Sequence, residues 1–409
     1  MTTLNRRQLL LGGGLITAGI AGGAITFDVL RNEAVSRPLA AGAGTLVIVT
    51  LYGGNDGLST VVPYADNAYH DARPELAFTA DEVYHLDDHY GLNPGMTGLI
   101  ERWRDGEFAI IRGVGYPKPD HSHFRSMDIW QTASPESASS TGWVGRWLDA
   151  TGDDPVRALC IGSTVPQLAI GNRASAAVLA TSGVTASTLA TKVGPLTVPD
   201  NHDTAAMAAV RSSYRASKTV TTTFAHLSDG GSTAGTDDGP GGSTGDTTDL
   251  GNNKLAAQLD VVARCITIGA PTRVYSVFLG GFDTHADEKG TQRKLLADVD
   301  QALTRFLDAM HDDDRGRHTV VMVYSEFGRR VRANASQGTD HGTAGPVLVL
   351  GPTVRGGFHG DDPSLTDLDD GDLKSTVDFR DVYHELLGKV VGADPNAVVP
   401  GRHDLGFLR

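Results

Sequence analysis

The stretch "HTVVMVYSEFGRR", residues 318–330, carries the fold. Val320, Val321, Met322 and Val323 form an unbroken apolar core with Thr319 before it and Tyr324 after it. A strand with one wet face alternates apolar and polar residues, so an unbroken run predicts a strand covered on both faces, as in a parallel sheet. Comparable runs recur at "TLVIVTLY" (45–52), "FAIIRGVG" (108–115), "RVYSVFLG" (273–280) and "PVLVLG" (346–351). Helical spacing lies between them. Leu295, Val299, Leu303, Phe306 and Met310 recur every three or four residues, as do Leu255, Leu259, Val262 and Ile266, and on a shorter segment Met96, Leu99, Ile100 and Trp103. Strands alternating with helices predict an α/β fold, a doubly wound and mainly parallel sheet flanked by helices.

The same stretch raises the question of chemistry, because the strand runs straight into Glu326. Two other strands end alike: "TLVIVTLY" runs into Gly53-Gly54-Asn55-Asp56, and "RVYSVFLG" into Gly281-Phe282-Asp283-Thr284-His285. Ligands of open α/β sheets bind beyond the carboxyl ends of the strands. If these strands are parallel, Asp56, Asp283 and Glu326 face one crevice, where their mutual repulsion calls for protons or a cation. Asp340, His341 and His285 add oxygen and nitrogen donors nearby. A mixed Asp/Glu/His set suits one or two divalent ions, Zn, Mn, Mg or Ca.

A second constellation, "YPKPDHSHFRSMDIWQT" (116–132), follows the strand at 108–115. Its two prolines impose an extended entry, after which Ser122 or His123 opens a helix. Ser122 is an N-cap or, since a helix N-terminus offers free N–H groups and partial positive charge, a nucleophile or phosphate anchor. His121, His123 and Arg125 crowd the same turn and are candidates for proton transfer and anion binding. Arg329 and Arg330 are further candidates for holding an anion. Asp369, Asp370, Asp372 and Asp378 do not match the spacing of a calcium loop, and Asp378 reads as a helix N-cap.

The 409-residue chain has a formal net charge of −14 and no basic block to offset it, which argues against nucleic acid as a partner. Arg6-Arg7 precede an uncharged Gly/Ala-rich run that extends to Asp28. This resembles a twin-arginine export signal, with a small-residue cleavage site at Ala41-Gly42-Ala43; an uncleaved anchor is the alternative. The expected organisation is thus an export signal over 1–43, read by the twin-arginine machinery, then one α/β domain over 44–409 without a stable membrane span. Within the domain, 228–253 is dominated by Gly, Ser, Thr and Asp and reads as a flexible loop. Cys160 and Cys265 sit in apolar surroundings, as one disulfide or two buried thiols.

Taken in order, the paired arginines, "LYGGNDGLSTVVPYADNAYHDARPELA", "GVGYPKPDHSHFRSMDIW", "GGFDTHADE", "VYSEFGRR", "GTDHGTAGP" and "LDDGDLKSTVDFRDVYHELLG" resemble the secreted bacterial family "domain of unknown function 1501" over nearly the whole mature chain. That family is grouped with the alkaline phosphatase and sulfatase superfamily. The resemblance implies an alkaline phosphatase-like α/β fold holding one or two divalent ions, with a nucleophile at a helix start that attacks a small anionic phosphate or sulfate ester. Asp56 then corresponds to the acidic ligand after the first strand. Asp283, His285 and His341 correspond to a second ligand set, and Ser122 to the nucleophile. Two departures stand out: Asp283-x-His285 replaces Asp-x-x-x-His, and Glu326-Phe327 replaces Asp-His. Asp340-His341-Gly342 is then a displaced Asp-His-Gly motif. The expectation is an exported metal-dependent ester hydrolase, acting in the periplasm, the envelope or outside the cell. The alternative, motivated by Phe327, is a non-catalytic binding protein on the same fold.

Overall fold

The structure, a computed structural model, describes residues 24–25, 27–40, 42–152, 154–162, 164–179 and 254–409. Most of the expected export signal and the whole of the expected loop at 228–253 lie outside the described residues. Among the described residues ten strands form one sheet. In chain order they are β1 (Ala24–Ile25), β2 (Thr45–Leu51), β3 (Phe108–Gly115), β4 (Ala158–Ile161), β5 (Ala177–Leu179), β6 (Val274–Leu279), β7 (Thr319–Ser325), β8 (Gly345–Leu350), β9 (Gly357–His359) and β10 (Val377–Asp378). Their spatial order is β1-β5-β4-β6-β2-β7-β8-β3-β9, with β10 also on β3. Every pairing is parallel except those of β8, which runs antiparallel to β7 and to β3. The fold is the expected mainly parallel α/β sheet, with one reversed strand third from an edge.

The main helices are α1 (Phe27–Ser36), α2 (Leu99–Arg104), α3 (His123–Thr132), α4 (Trp143–Thr151), α5 (Lys254–Thr267), α6 (Glu288–His311) and α7 (Phe379–Lys389), besides a further six-residue helix at Asn67–Ala72 and shorter turns. They cover both faces of the sheet, which is why its central strands are apolar throughout. In β2, Val47, Val49 and Leu51 belong to the core formed with α2, α5 and α6, whereas Leu46 and Ile48 belong to the one formed with α3, α4 and α7. Strand pleat sends alternate side chains to opposite faces, and each face here has its own helical layer. Cys160 packs in one of these cores and Cys265 in the other, and both are free thiols. No helix among the described residues is long and apolar enough to cross a membrane.

Part of the segment expected to be an export signal packs on the domain. Leu30 is completely buried in the α5/α6 core, and Arg264 lies 4.3 Å over the Phe27 ring. Arg37 Nη1 reaches Asp154 Oδ2 at 2.8 Å, and Leu39 N–H donates to Gly269 O.

Strands β6, β2 and β7 lie side by side and point the same way, so the loops after Leu279, Leu51 and Ser325 leave from one edge. Strand β3 shares that direction, being antiparallel to β8, and delivers the turn 116–122 and α3 to the same place.

Candidate metal centre

At this edge three imidazoles converge on one carboxylate oxygen. Asp283 Oδ1 lies 3.4 Å from His123 Nε2, 3.0 Å from His285 Nε2 and 3.2 Å from His341 Nε2. The Nε2 atoms of His285 and His341 are 3.0 Å apart. His123, Asp283 and His341 present three ligand atoms close enough to share one ion.

The other nitrogen of two of the rings is held from behind, and that of the third lies near a carboxylate. His123 Nδ1 is 2.8 Å from Glu326 Oε1, His341 Nδ1 is 2.7 Å from the His121 carbonyl, and His285 Nδ1 is 3.5 Å from Asp340 Oδ1. A carbonyl only accepts, so His341 donates through Nδ1, and its neutral ring turns a lone pair on Nε2 toward the Asp283 carboxylate. Two acceptors 3.2 Å apart repel unless a proton or a cation lies between them. Burial lowers the His341 pKa, which disfavours the proton. His123 Nε2 is buried and makes no hydrogen bond of its own. Lone pairs meeting at a carboxylate, an orphaned buried nitrogen and anchored second nitrogens together form a donor set that fits a divalent ion.

The electrostatics follow from the surroundings. The hydrogen bond to Glu326 raises the His123 pKa, against a lesser effect of burial. For Asp283, burial opposes ionisation, but the bond to Arg329 and its charge prevail and hold the pKa down at about 2. Arg329 is itself buried, and its guanidinium donates to the carbonyls of Gly53, Gly54, Phe282 and Thr339 as well as to Asp283 Oδ1 at 2.7 Å. One side chain thus ties together the loops after β2, β6 and β7. Gly53 has a φ of 117°, and its N–H donates to Glu326 Oε1 at 2.8 Å. A side chain there would be strained, and its Cβ would meet the backbone of Phe282 and Asp283.

The structure redistributes several of the roles expected from the sequence. Asp283, His285 and His341 meet. Glu326 and Asp340 stand behind imidazoles rather than at the point of convergence; Glu326 is buried, its oxygens taken by Gly53, His123 and Ser325. His123, read as a candidate for proton transfer, joins the same cluster with its Nε2 3.4 Å from Asp283 Oδ1, and the sequence signal that could have shown this is its register two residues after His121 at the start of α3. Asp56 is a correction. Its carboxylate is fully buried, caps the turn Gly57–Thr60 through Leu58 N–H, and pairs with Arg73 Nη1 at 2.6 Å, so it does not reach the imidazoles.

Ser122 occupies the N-cap position of α3 but makes no capping bond through its side chain, and it is exposed. His121 Nε2 is 2.7 Å from Asp372 Oδ2. Arg125 pairs with Asp128 instead of facing the cluster, Arg329 is committed to backbone carbonyls, and Arg330 pairs with Asp370 and Asp372. Asp378 caps α7 through Arg380 N–H, as its sequence position predicts. Phe327 packs its ring 4.9 Å from that of His123 and 4.8 Å from that of His341. Between the 116–121 turn and the hairpin Leu368–Leu373 lies a cavity of about 450 Å³, lined in part by His121, Phe327, Asp372 and Lys374.

Among solved structures, the chain is similar to the lipoteichoic acid synthase LtaP from Listeria monocytogenes, at 9% identity and a TM-score of 0.40, covering 93% of this chain and 82% of that one. A protein in the alkaline phosphatase superfamily from Vibrio parahaemolyticus gives 12% identity and a TM-score of 0.40, over 90% of this chain and 76% of that one. A 2-O GAG sulfatase gives 12% identity and a TM-score of 0.34, over 90% and 76%. No curated protein matches the chain. The family model described as "Protein of unknown function (DUF1501)" matches residues 115–407.

Proposed function

Because the chain belongs to the DUF1501 family, whose function is unknown, its activity must be read from its own site, and we propose an exported, metal-dependent hydrolase of phosphate or sulfate esters. The observation that carries this reading is the convergence of three imidazole Nε2 atoms on Asp283 Oδ1, with the rings of His123 and His341 anchored through their Nδ1 atoms. His123, Asp283 and His341 would hold the ion, with His285 beside them. A bound divalent ion supplies a Lewis acid that polarises an ester oxygen and eases deprotonation of a hydroxyl or water.

The remaining work falls to residues of the chain. Ser122, free of capping duty at the start of α3, offers its hydroxyl as the nucleophile, where the helix N-terminus favours an anionic ester. His121, oriented by Asp372, carries the proton. Glu326 keeps the His123 Nδ1 proton in place and so keeps its Nε2 directed at the site. Paired arginines ahead of an uncharged run support export by the twin-arginine route, which places the activity in the periplasm, the envelope or outside the cell.

Phe327 favours a second reading. Its ring fills space against His123 and His341, directly after Glu326, and a phenylalanine cannot ligate; a protein that binds an anionic ligand without cleaving it would share this geometry. Assay of a panel of phosphate and sulfate monoesters, with and without chelation and with Ser122→Ala, separates the two. The hydrolase predicts turnover abolished by chelation, restored by added metal, and lost in Ser122→Ala. Metal binding without turnover of any ester leaves the binding protein.

A further inference from the structure

Resting on the metal reading above, we infer that the crevice takes one divalent ion rather than two, because Arg73 and Arg329 already occupy the carboxylates that a second ion would need. A two-ion site sets its cations about 3.5–4 Å apart and draws on several shared or additional carboxylates. The loops at this edge offer four carboxylate candidates, Asp56, Asp283, Glu326 and Asp340, and three of them are committed.

Asp56 is sealed: Arg73 lies 2.6 Å from its Oδ2, neither side chain is exposed, and Arg73 also donates to the carbonyls of Arg330 and Val331. Glu326 gives Oε1 to Gly53 N–H and His123, and its Oε2 lies 2.9 Å from Ser325 Oγ. Asp283 Oδ1, the oxygen that all three imidazoles face, would serve the single ion and already accepts from Arg329 at 2.7 Å, so it has no lone pair left to bridge a second. Arg329 is pinned, since Nε donates to Gly54 O, Nη1 to Thr339 O, and Nη2, besides facing Asp283, lies against the carbonyls of Gly53 and Phe282, in three different loops. An Arg side chain stays protonated in proteins, so each guanidinium is a permanent charge. Only Asp340 remains, exposed and 3.3 Å from Asn334 Nδ2, and one carboxylate does not make a second site. The two arginines thus supply the positive charge that a second cation would bring to Asp56 and Asp283.

The test is native mass spectrometry of chelator-stripped, full-length protein titrated with Zn(II) and, separately, with Mn(II), with Asp56→Asn and Asp283→Asn as variants. One ion per chain is expected. Asp283→Asn should weaken it by more than the ~10–100-fold typical of a second-shell partner, and a folded Asp56→Asn should leave both stoichiometry and affinity unchanged. Two ions per wild-type chain would overturn the inference while leaving the metal reading intact. No bound ion would overturn both.

Discussion

Glu326 Oε1 lies 2.8 Å from His123 Nδ1 and accepts the Gly53 N–H at the same distance. A carboxylate from the end of β7 thereby fixes a ring on α3 and a loop after β2. It is placed to govern the centre without touching what the centre binds. Replacing Glu326 with Gln keeps the shape but removes the charge that retains the Nδ1 proton. Second-shell changes of this kind weaken metal binding ~10–100-fold. Zinc titration of a folded Glu326→Gln variant should show a loss in that range, and an unchanged affinity would remove Glu326 from the centre.

The Asp56–Arg73 pair predicts a stability effect. Removing one partner of a buried pair strands the other charge, at a cost of about 3–5 kcal/mol. Arg73→Met should therefore lower the denaturant midpoint sharply, and Asp56→Asn/Arg73→Met should recover part of the loss. A double variant no better than Arg73→Met alone would show that the pair does not act as a unit.

Glu288 predicts a pH effect. Burial and the neighbouring Asp56 raise its pKa from 4.5 to about 9, while Thr339 Oγ1 donates to its Oε2 and Arg73 pulls weakly the other way. The folded chain thus holds a proton that the unfolded chain releases above about pH 4.5. Stability from this group is complete below that pH and falls as pH rises toward 9. Glu288→Gln cannot lose a proton, so its denaturant midpoint should decline less than that of the wild type between pH 5 and 9, roughly the window set by those two pKa values. Parallel declines would mean that Glu288 is already ionised in the folded state.

The N-terminal helix α1 predicts where the stable unit begins. Burying Leu30 alone contributes about 1.5–3 kcal/mol, and Phe27, Arg37 and Leu39 add contacts of their own. A chain spanning 44–409 should unfold at a lower denaturant concentration than one spanning 24–409. Equal midpoints would show that this segment is dispensable to the domain.

The sheet could be read from the sequence because its central strands are buried on both faces, which leaves an unbroken apolar run as their mark. The short strands Ala158–Ile161 and Ala177–Leu179 carry too few residues to announce themselves, and nothing in "PVLVLG" encodes that β8 runs backwards. The site was legible as a neighbourhood and not as a set of roles. Strand ends placed Asp283, His285 and Glu326 together, but spacing does not say which atom faces inward. Glu326 points at a ring, and His123 points at the carboxylate. The fate of Asp56 hinged on Arg73, seventeen positions later by numbering, which between Asp71 and Glu75 in "HDARPELA" reads like any surface arginine.

The most direct measurement is a crystal structure of the zinc-loaded protein, with diffraction data collected at the zinc absorption edge. The account predicts a single anomalous peak within bonding distance of His123 Nε2, Asp283 Oδ1 and His341 Nε2, with Glu326 still on His123 Nδ1. A peak elsewhere, such as among Asp369, Asp370 and Asp372, or no peak near the three imidazoles, would contradict it.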